Sequence, residues 1–356
     1  MPRPCGDIAA RPSAAIKEWV AIKEWVAIKE SAAVVHRPVD DGLGGAGKDA
    51  TMSWVRDLVL GGQPFEVSTA RQRGVSRQRL RLMLAQGGVR QVLHGVFVDA
   101  AVPDTLDVRA VCLALRLPAG AALSRGTASW LYGVDPRAAW ERDQPMPVEC
   151  TVPRGREPLS RPGVRSYVAP LAGDVVQVRG LPCTTAVRTA VDLLRYRPPQ
   201  MGLAVADALS HRDLVDPAEV VTAVERFAGG RGIALARRLA GFVEPAAESF
   251  GESWLRLRLL DAGFPRPVAQ IVVPELGYRL DLGWPGRRIA VEYDGEEFHG
   301  TPEQCAHDER RRGALERCGW TVVGVGSGDV LGRSMALERG IGELLGLEPA
   351  TRYRQW

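Results

Sequence analysis

Asp281 and Glu292 are the residues whose type and spacing most clearly admit chemistry. They stand in two runs, YRLDLGW (278–284) and RIAVEYDG (288–295), that alternate apolar and polar positions around Pro285 and Gly286. Such alternation about a Pro-Gly turn predicts an antiparallel hairpin. With Gly286-Arg287 as a two-residue loop, the pairing starts at Pro285 opposite Arg288 and reaches Asp281 opposite Glu292. A turn centred on Pro285-Gly286 shifts the register by two and leaves the acids as diagonal neighbours on the same face. Leu280, Leu282, Trp284, Ile289, Val291 and Tyr293 make the other, apolar face, which leaves Arg279, Asp281, Glu292 and Asp294 on the face for polar work. Like charges facing each other on a sheet repel, so a positive charge is expected among them. A Mg²⁺ or Mn²⁺ ion held by the carboxylates of Asp281 and Glu292 fits, with waters and a substrate phosphate completing its shell. A solvated acidic face neutralised by Arg279 and Arg288 fits as well, and the pattern alone leaves both open.

Several elements must position this pair. Ser249-Phe250-Gly251-Glu252 is a capping box opening a helix, on which Glu252 and Arg256 stand at i,i+4 spacing. Glu252 is thus either part of the centre or only part of its own helix start. His299 follows the second strand in a loop, as a candidate general base or as a plain surface histidine. Asp308 and Arg310–Arg312 fall on a later helix, where Arg311 could clamp phosphate or simply be solvated. His299, Cys305, His307 and Cys318 are spaced unlike any standard zinc set.

The segments GESWLRLRLLDAGFPRPVAQ, YRLDLGW, VEYDGEEFHG and DERRRGALERCGWTVVGV together resemble the PD-(D/E)XK nuclease superfamily. More narrowly, they resemble a domain family of unknown function grouped with very-short-patch-repair endonucleases. The resemblance covers about a hundred residues and implies a metal-dependent nuclease core. By position it implies Glu252 as the acid of the first helix, Asp281 and Glu292 as the metal-binding pair, and Asp294 with His299 as the acid and histidine that follow. The metal would polarise the scissile phosphate and activate a water. One departure matters: the superfamily's usual lysine, two residues after the second acid, is Asp294 here. All four lysines of the chain (Lys17, Lys23, Lys29, Lys48) precede Met52.

Upstream, residues 53–98 carry the rhythm helix, short helix, turn, helix, hairpin. Ser68 is suited to cap the short helix, Gly74 to break it and Ser76 to cap the next one. Leu80, Met83 and Leu84 then lie on one side of that helix while Arg77, Gln78 and Arg81 project from the other, a face suited to a DNA groove. The segment Val89–Val98 alternates around Gly95 like a small wing, with Arg90 and His94 placed to reach phosphates. STARQRGVSRQRLRLML followed by GVRQVLHGVFVD resembles the N-terminal winged-helix domain of abortive-infection, type IV antitoxins. Farther on, AALSRGTASWLYGVD and LPCTTAVRTAVDLL are similar to downstream stretches of the same proteins. Neither holds a catalytic constellation. Arg188 and Asp192 read as an i,i+4 helix pair, Asp216-Pro217 with Glu219 as a helix start, and the Arg-rich segment 154–165 as a solvated loop, with added phosphate contacts as the alternative.

Composition sets the frame. The chain has 356 residues, 46% hydrophobic and 25% charged, with a net charge of +4, too small by itself to imply a nucleic-acid partner. Six cysteines without a CxxC pair suit reduced thiols, and no run reaches the length of a membrane span, so a cytoplasmic protein is expected. Residues 15–30 repeat AIKEWV, whose six-residue period winds the apolar positions around a helix rather than stacking them. The expected architecture is α/β mixed multidomain. A disordered repeat extension over 1–51, with Met52 as the true start, precedes a winged helix-turn-helix at 52–99. A mixed α/β connector at 100–244, a PD-(D/E)XK-like α/β core at 245–348 and a tail at 349–356 follow. The expected function is a Mg²⁺- or Mn²⁺-dependent DNA endonuclease or nickase. The alternatives are an antitoxin-like DNA-binding regulator with a degenerate nuclease fold, and an interaction protein of a defence system with no catalysis of its own. Expected partners are DNA, a toxin or other defence-system component, and a second copy if the cut is symmetric.

Overall fold

A computed structural model describes residues 63–158, 162–294, 302–353 and 356, with backbone alone for 302–306. The repeat extension, Met52, the helix expected from Ser53 and His299 lie outside the described residues. Over the described residues the chain is a mixed α/β protein with three sheets and twelve α-helices. It divides into two compact units. One contains the described residues up to Gln91 with Gly95–Leu115 and Gln177–Leu181, and the other Val92–His94, Arg116–Val176 and Pro182–Trp356.

In the N-terminal region, α1 (Val67–Gln72) and α2 (Arg77–Ala85) are followed by β2 (Val89–Leu93) and β3 (Val96–Asp99). With β1 (Phe65–Glu66) these strands form a sheet in the order β1-β3-β2. Ser76 caps α2 as expected, its hydroxyl accepting from Arg79 N at 3.2 Å. Ser68 does not cap α1, because the helix already starts at Val67 with Glu66 as its N-cap. Leu80 and Met83 enter the small core with Phe65, Ala70, Val75, Val89 and Phe97. Leu84 does not join them. It is 39% exposed, one residue beyond the i,i+3 row that Leu80 and Met83 define. Helix α3 (Leu106–Arg116) follows the strands.

The middle region builds a five-stranded sheet, β6-β5-β4-β8-β7, from β4 (Ala122–Leu123), β5 (Val148–Val152), β6 (Val164–Val168), β7 (Val175–Val178) and β8 (Leu181–Thr184). It also holds α4 (Arg125–Leu131), α5 (Ala186–Tyr196), α6 (Pro199–His211), α7 (Pro217–Val224) and α8 (Ile233–Ala240). Asp216 caps α7, accepting from Ala218 N at 2.8 Å with Pro217 in the first turn. Helices α5 to α8 share one core built on Leu193, Leu194, Leu203, Leu209, Val220 and Leu239. The chain passes closely from α5 to α6, where a Cβ on Gly202 would stand 2.7 Å from the Leu193 carbonyl oxygen.

The C-terminal region opens with α9 (Phe250–Asp261), buried from Gly251 through Leu259. Although α9 carries Glu252, Arg256 and Arg258, it is buried because it faces two ways. Leu257 enters the core of the middle helices, while Trp254, Leu255 and Leu259 pack against a second sheet. Its arginines are buried and paired. Arg256 meets Asp207 of α6 at 2.5 Å, and Arg258 meets Glu338 at 2.5 Å. The expected Glu252–Arg256 pair is thus absent: Arg256 is turned toward the middle region, where the fully buried Asp207 needs a cation. The sheet runs β12-β11-β10-β9, from β9 (Val268–Val273), β10 (Tyr278–Trp284), β11 (Ile289–Asp294) and β12 (Thr321–Gly326). Strands β9, β10 and β11 pair antiparallel and β11 with β12 parallel, across α10 (Pro302–Arg317). Helices α11 (Ser327–Leu331) and α12 (Ala336–Leu345) close the region.

The strict alternation expected of β10 breaks in one place. Leu282, Trp284, Ile289 and Val291 face α9, but Leu280 packs with Ile271, Val273, Ala290 and Leu315 in a separate cluster. Gln270, which the β9–β10 register sets opposite Asp281, has a left-handed φ of 52°. That backbone reversal accounts for the change of face on either side of Asp281, as a bulge does.

Candidate functional site

Strand β10 meets β11 with Leu282 opposite Val291 and Trp284 opposite Ile289, so the next step outward sets Asp281 against Glu292. This is the register of the first of the two turns considered. The connection is a 3-10 turn over Pro285–Arg287 closed by Arg288 in the left-handed region, φ 52°. One Asp281 oxygen accepts from the backbone N–H of Tyr293 at 2.9 Å. The first turn of α9 comes down on the same place. A Cβ on Gly251 would sit 2.0 Å from the Tyr293 ring, so only glycine permits this approach, and it carries Glu252 to the sheet.

Glu252 is buried. One of its oxygens accepts from Glu248 N at 3.1 Å and from Gln270 Nε2 at 2.9 Å, while its own N–H bonds to Ser249 Oγ at 3.1 Å. It serves the helix start and the acidic centre together. Burial, followed by the repulsion of Glu252 and Glu292, pushes the Asp281 carboxyl up to about 6, against the lowering effect of the Tyr293 N–H and Arg311. Asp294 is also raised, first by burial and then by Glu292.

The neutralising cation comes from neither Arg279 nor Arg288. Arg279 pairs with Glu248 at 2.7 Å, and Arg288 donates to the Cys318 carbonyl at 2.9 Å. Arg311 of α10 supplies it, gripping Glu292 with two parallel bonds of 2.5 and 2.8 Å. A third bond runs from Arg311 to the Arg279 carbonyl at 3.0 Å, and the guanidinium lies 5.6 Å from the Tyr278 ring centre. Asp308 is exposed and 3.6 Å from His307.

Among the described residues no three His, Cys, Asp or Glu side chains gather so as to hold a metal ion. Both Glu292 oxygens are spent on Arg311 and one Asp281 oxygen on Tyr293, so a divalent ion does not fit between them as they stand.

On the N-terminal region Arg77, Gln78 and Arg81 are exposed along α2, and His94 is exposed in the β2–β3 turn. Arg90 is half-buried and donates to the Val102 carbonyl at 3.1 Å, which anchors its head. The structure keeps the first three together on one helix. Gln270 is the site residue that sequence reasoning passed over, and its only signal was its place on the strand preceding YRLDLGW.

In the middle region Arg188 and Asp192 form more than a helix-surface pair. Arg188 bonds Asp192 at 2.9 Å and Asp174 at 2.7 Å, all three buried, and Arg226 closes on Asp174 at 2.8 Å. The described cysteines Cys112, Cys150, Cys183 and Cys318 are free thiols. No helix among the described residues is long and apolar enough to cross a membrane.

This middle region is what the comparisons identify. Residues 118–244 match the family described as the AbiEi antitoxin C-terminal domain, so this mixed α/β chain has an AbiEi-like component. The match falls on the segment expected to be a connector, and includes the two stretches noted above as similar to antitoxin-like proteins. Two proteins of Mycobacterium tuberculosis are 33% identical over 260 residues, covering 72% of this chain and 92% of each. They are "Uncharacterized protein MT2308" of strain CDC 1551 / Oshkosh and "Uncharacterized protein Rv2248" of strain ATCC 25618 / H37Rv. The chain belongs to one family with them. The crystal structure of the RV2827C protein from M. tuberculosis is similar at a TM-score of 0.30 and 14% identity, over 63% of this chain and 83% of that one, too distant for structural argument.

Proposed function

We propose that the protein is a DNA-binding regulator of the AbiEi antitoxin type whose C-terminal nuclease-like module does not turn over phosphodiester bonds. The antitoxin-domain match at 118–244 carries the reading. In this account residues 52–99 are a winged-helix reader that lays Arg77, Gln78 and Arg81 of α2 along a DNA groove. Residues 100–244 form the antitoxin domain proper, and a toxin or defence-system component is its partner. Residues 245–348 keep the PD-(D/E)XK-like core in degenerate form. Two observations support the loss of turnover: Asp294 stands where the superfamily has a lysine, and Arg311 occupies Glu292, one of the two acids that would hold the metal.

A second reading, the Mg²⁺- or Mn²⁺-dependent endonuclease, is favoured by one observation. Burial first, and then the repulsion of Glu252 and Glu292, raise the Asp281 carboxyl to about 6, a rise that a divalent ion would relieve.

Titration of the full chain with DNA from upstream of its own gene tests the first reading. Sequence-specific retardation is expected, weakened about 10-fold or more by Arg81→Ala if the arginine reads a guanine edge. Equal affinity for unrelated DNA at physiological salt would refute it.

A further inference from the structure

We propose that Arg125, on the antitoxin-type domain, is the centre of a phosphate-binding site separate from both α2 and the acidic centre. Its guanidinium carbon lies 3.3 Å from the Tyr167 ring centre and 4.2 Å from that of Tyr196, so the planar head is held between two aromatic rings. Tyr167 is fixed in turn, its hydroxyl donating to Glu149 at 2.9 Å. Rings satisfy the faces of a guanidinium and leave its edge, where the five N–H donors lie, unserved. Among the described residues that edge makes no hydrogen bond and no ion pair, and Arg125 is only half-buried.

The other arginines of this cluster are committed. Arg188 holds Asp192 and Asp174, Arg197 holds Glu149 at 2.8 Å, Arg226 holds Asp174 and Arg195 donates to the Arg231 carbonyl at 3.2 Å. Glu149 is committed as well, and so is one oxygen of Asp192. Glu149 is shared among Arg197, Tyr167 and Gly126 N, and the nearby Asp192 belongs first to Arg188. Asp192 attracts Arg125 without a hydrogen bond between them, so the domain orients the guanidinium and leaves its donors unspent.

The backbone gives independent support. Arg125 has φ 51°, a left-handed conformation costly to any residue but glycine. Side chains kept in such conformations concentrate at functional positions. A rigid fork of unspent donors suits a phosphate oxyanion bound by two parallel bonds, and the exposed Arg165 acts electrostatically on the same Tyr167. A nucleic-acid backbone and a free phosphate group present the same chemistry.

Arg125→Gly removes the fork while relieving the backbone, so the variant is expected to melt near the wild type. The full chain at low salt is titrated with inorganic phosphate. It is also titrated with a short random duplex, the latter in an Arg77→Ala, Arg81→Ala background so that α2 contributes little. Binding of either probe that weakens about 10-fold in Arg125→Gly supports the site. A response to phosphate assigns a free group as the source, and a response to the duplex alone assigns the nucleic-acid backbone. Should Arg125→Gly fail to fold, Arg125→Lys carries the test, keeping the charge without the fork and expected to bind several-fold more weakly. Wild-type indifference to both probes overturns the proposal. So does unchanged affinity in a folded variant, or binding of a polyglutamate peptide in place of phosphate.

Discussion

Two charged clusters in this chain use the same residue types to opposite ends. Around Arg188 in the middle region, Asp174 and Asp192 are matched by Arg188 and Arg226, and all but the half-exposed Arg226 are buried. Around Asp281 on the C-terminal sheet, the one guanidinium is bound to Glu292, and burial, followed by the repulsion of Glu252 and Glu292, holds the Asp281 carboxyl up at about 6. Balance marks architecture, because a buried charge must be paired to be tolerated. Excess of one sign marks a site, or what a site has left behind.

The largest effect should come from unbalancing the first cluster. Arg188→Met leaves Asp192 without its main cation and should cost about 3–5 kcal/mol in denaturant unfolding. A loss under ~1 kcal/mol would show that the cluster is not structural and would break the comparison.

Arg311→Met should cost less, about 1–2 kcal/mol, since Arg311 and Glu292 keep partial access to water. It should also let the freed acids take up Mn²⁺, read by electron paramagnetic resonance, where the wild type takes up none. Equal Mn²⁺ uptake by both proteins would show that Arg311 does not stand in for a metal.

Asp281→Asn should be smaller and opposite in sign, raising stability at pH 7.5. The native aspartate holds its proton up to about 6 and the unfolded one releases it near 3.8, so its stabilising contribution is complete below pH 3.8 and is lost as pH rises through 6. Thermal melts from pH 4 to 7.5 should therefore show a downward slope in the wild type that flattens in the variant. Parallel curves would contradict the assignment. Least of all, Arg77→Ala and Arg81→Ala should leave the melting temperature unchanged, within ~0.5 kcal/mol, because both side chains are exposed.

What the sequence made legible was whatever repeats at short range. The alternation in YRLDLGW and RIAVEYDG set Asp281 against Glu292, and Ser76 and Asp216 cap the helices that their spacing implied. What it hid lies at long range or in single dihedrals. No periodicity says that Arg256 reaches back 49 residues to Asp207 in place of its helix neighbour Glu252. The phase of α10 against the sheet decides that Arg311, and not Arg279 or Arg288, meets Glu292. The left-handed turn at Gln270, across from the point where Leu280 and Leu282 part into different clusters, has no glycine or asparagine to announce it.

The most direct test incubates the full chain with supercoiled plasmid bearing its upstream region, at millimolar Mg²⁺ or Mn²⁺, and follows retardation and nicking in the same samples. The account predicts bound, intact plasmid, with Asp281→Asn and Glu292→Gln behaving as the wild type does. Metal-dependent nicking by the wild type that disappears in both variants would contradict it and establish the endonuclease.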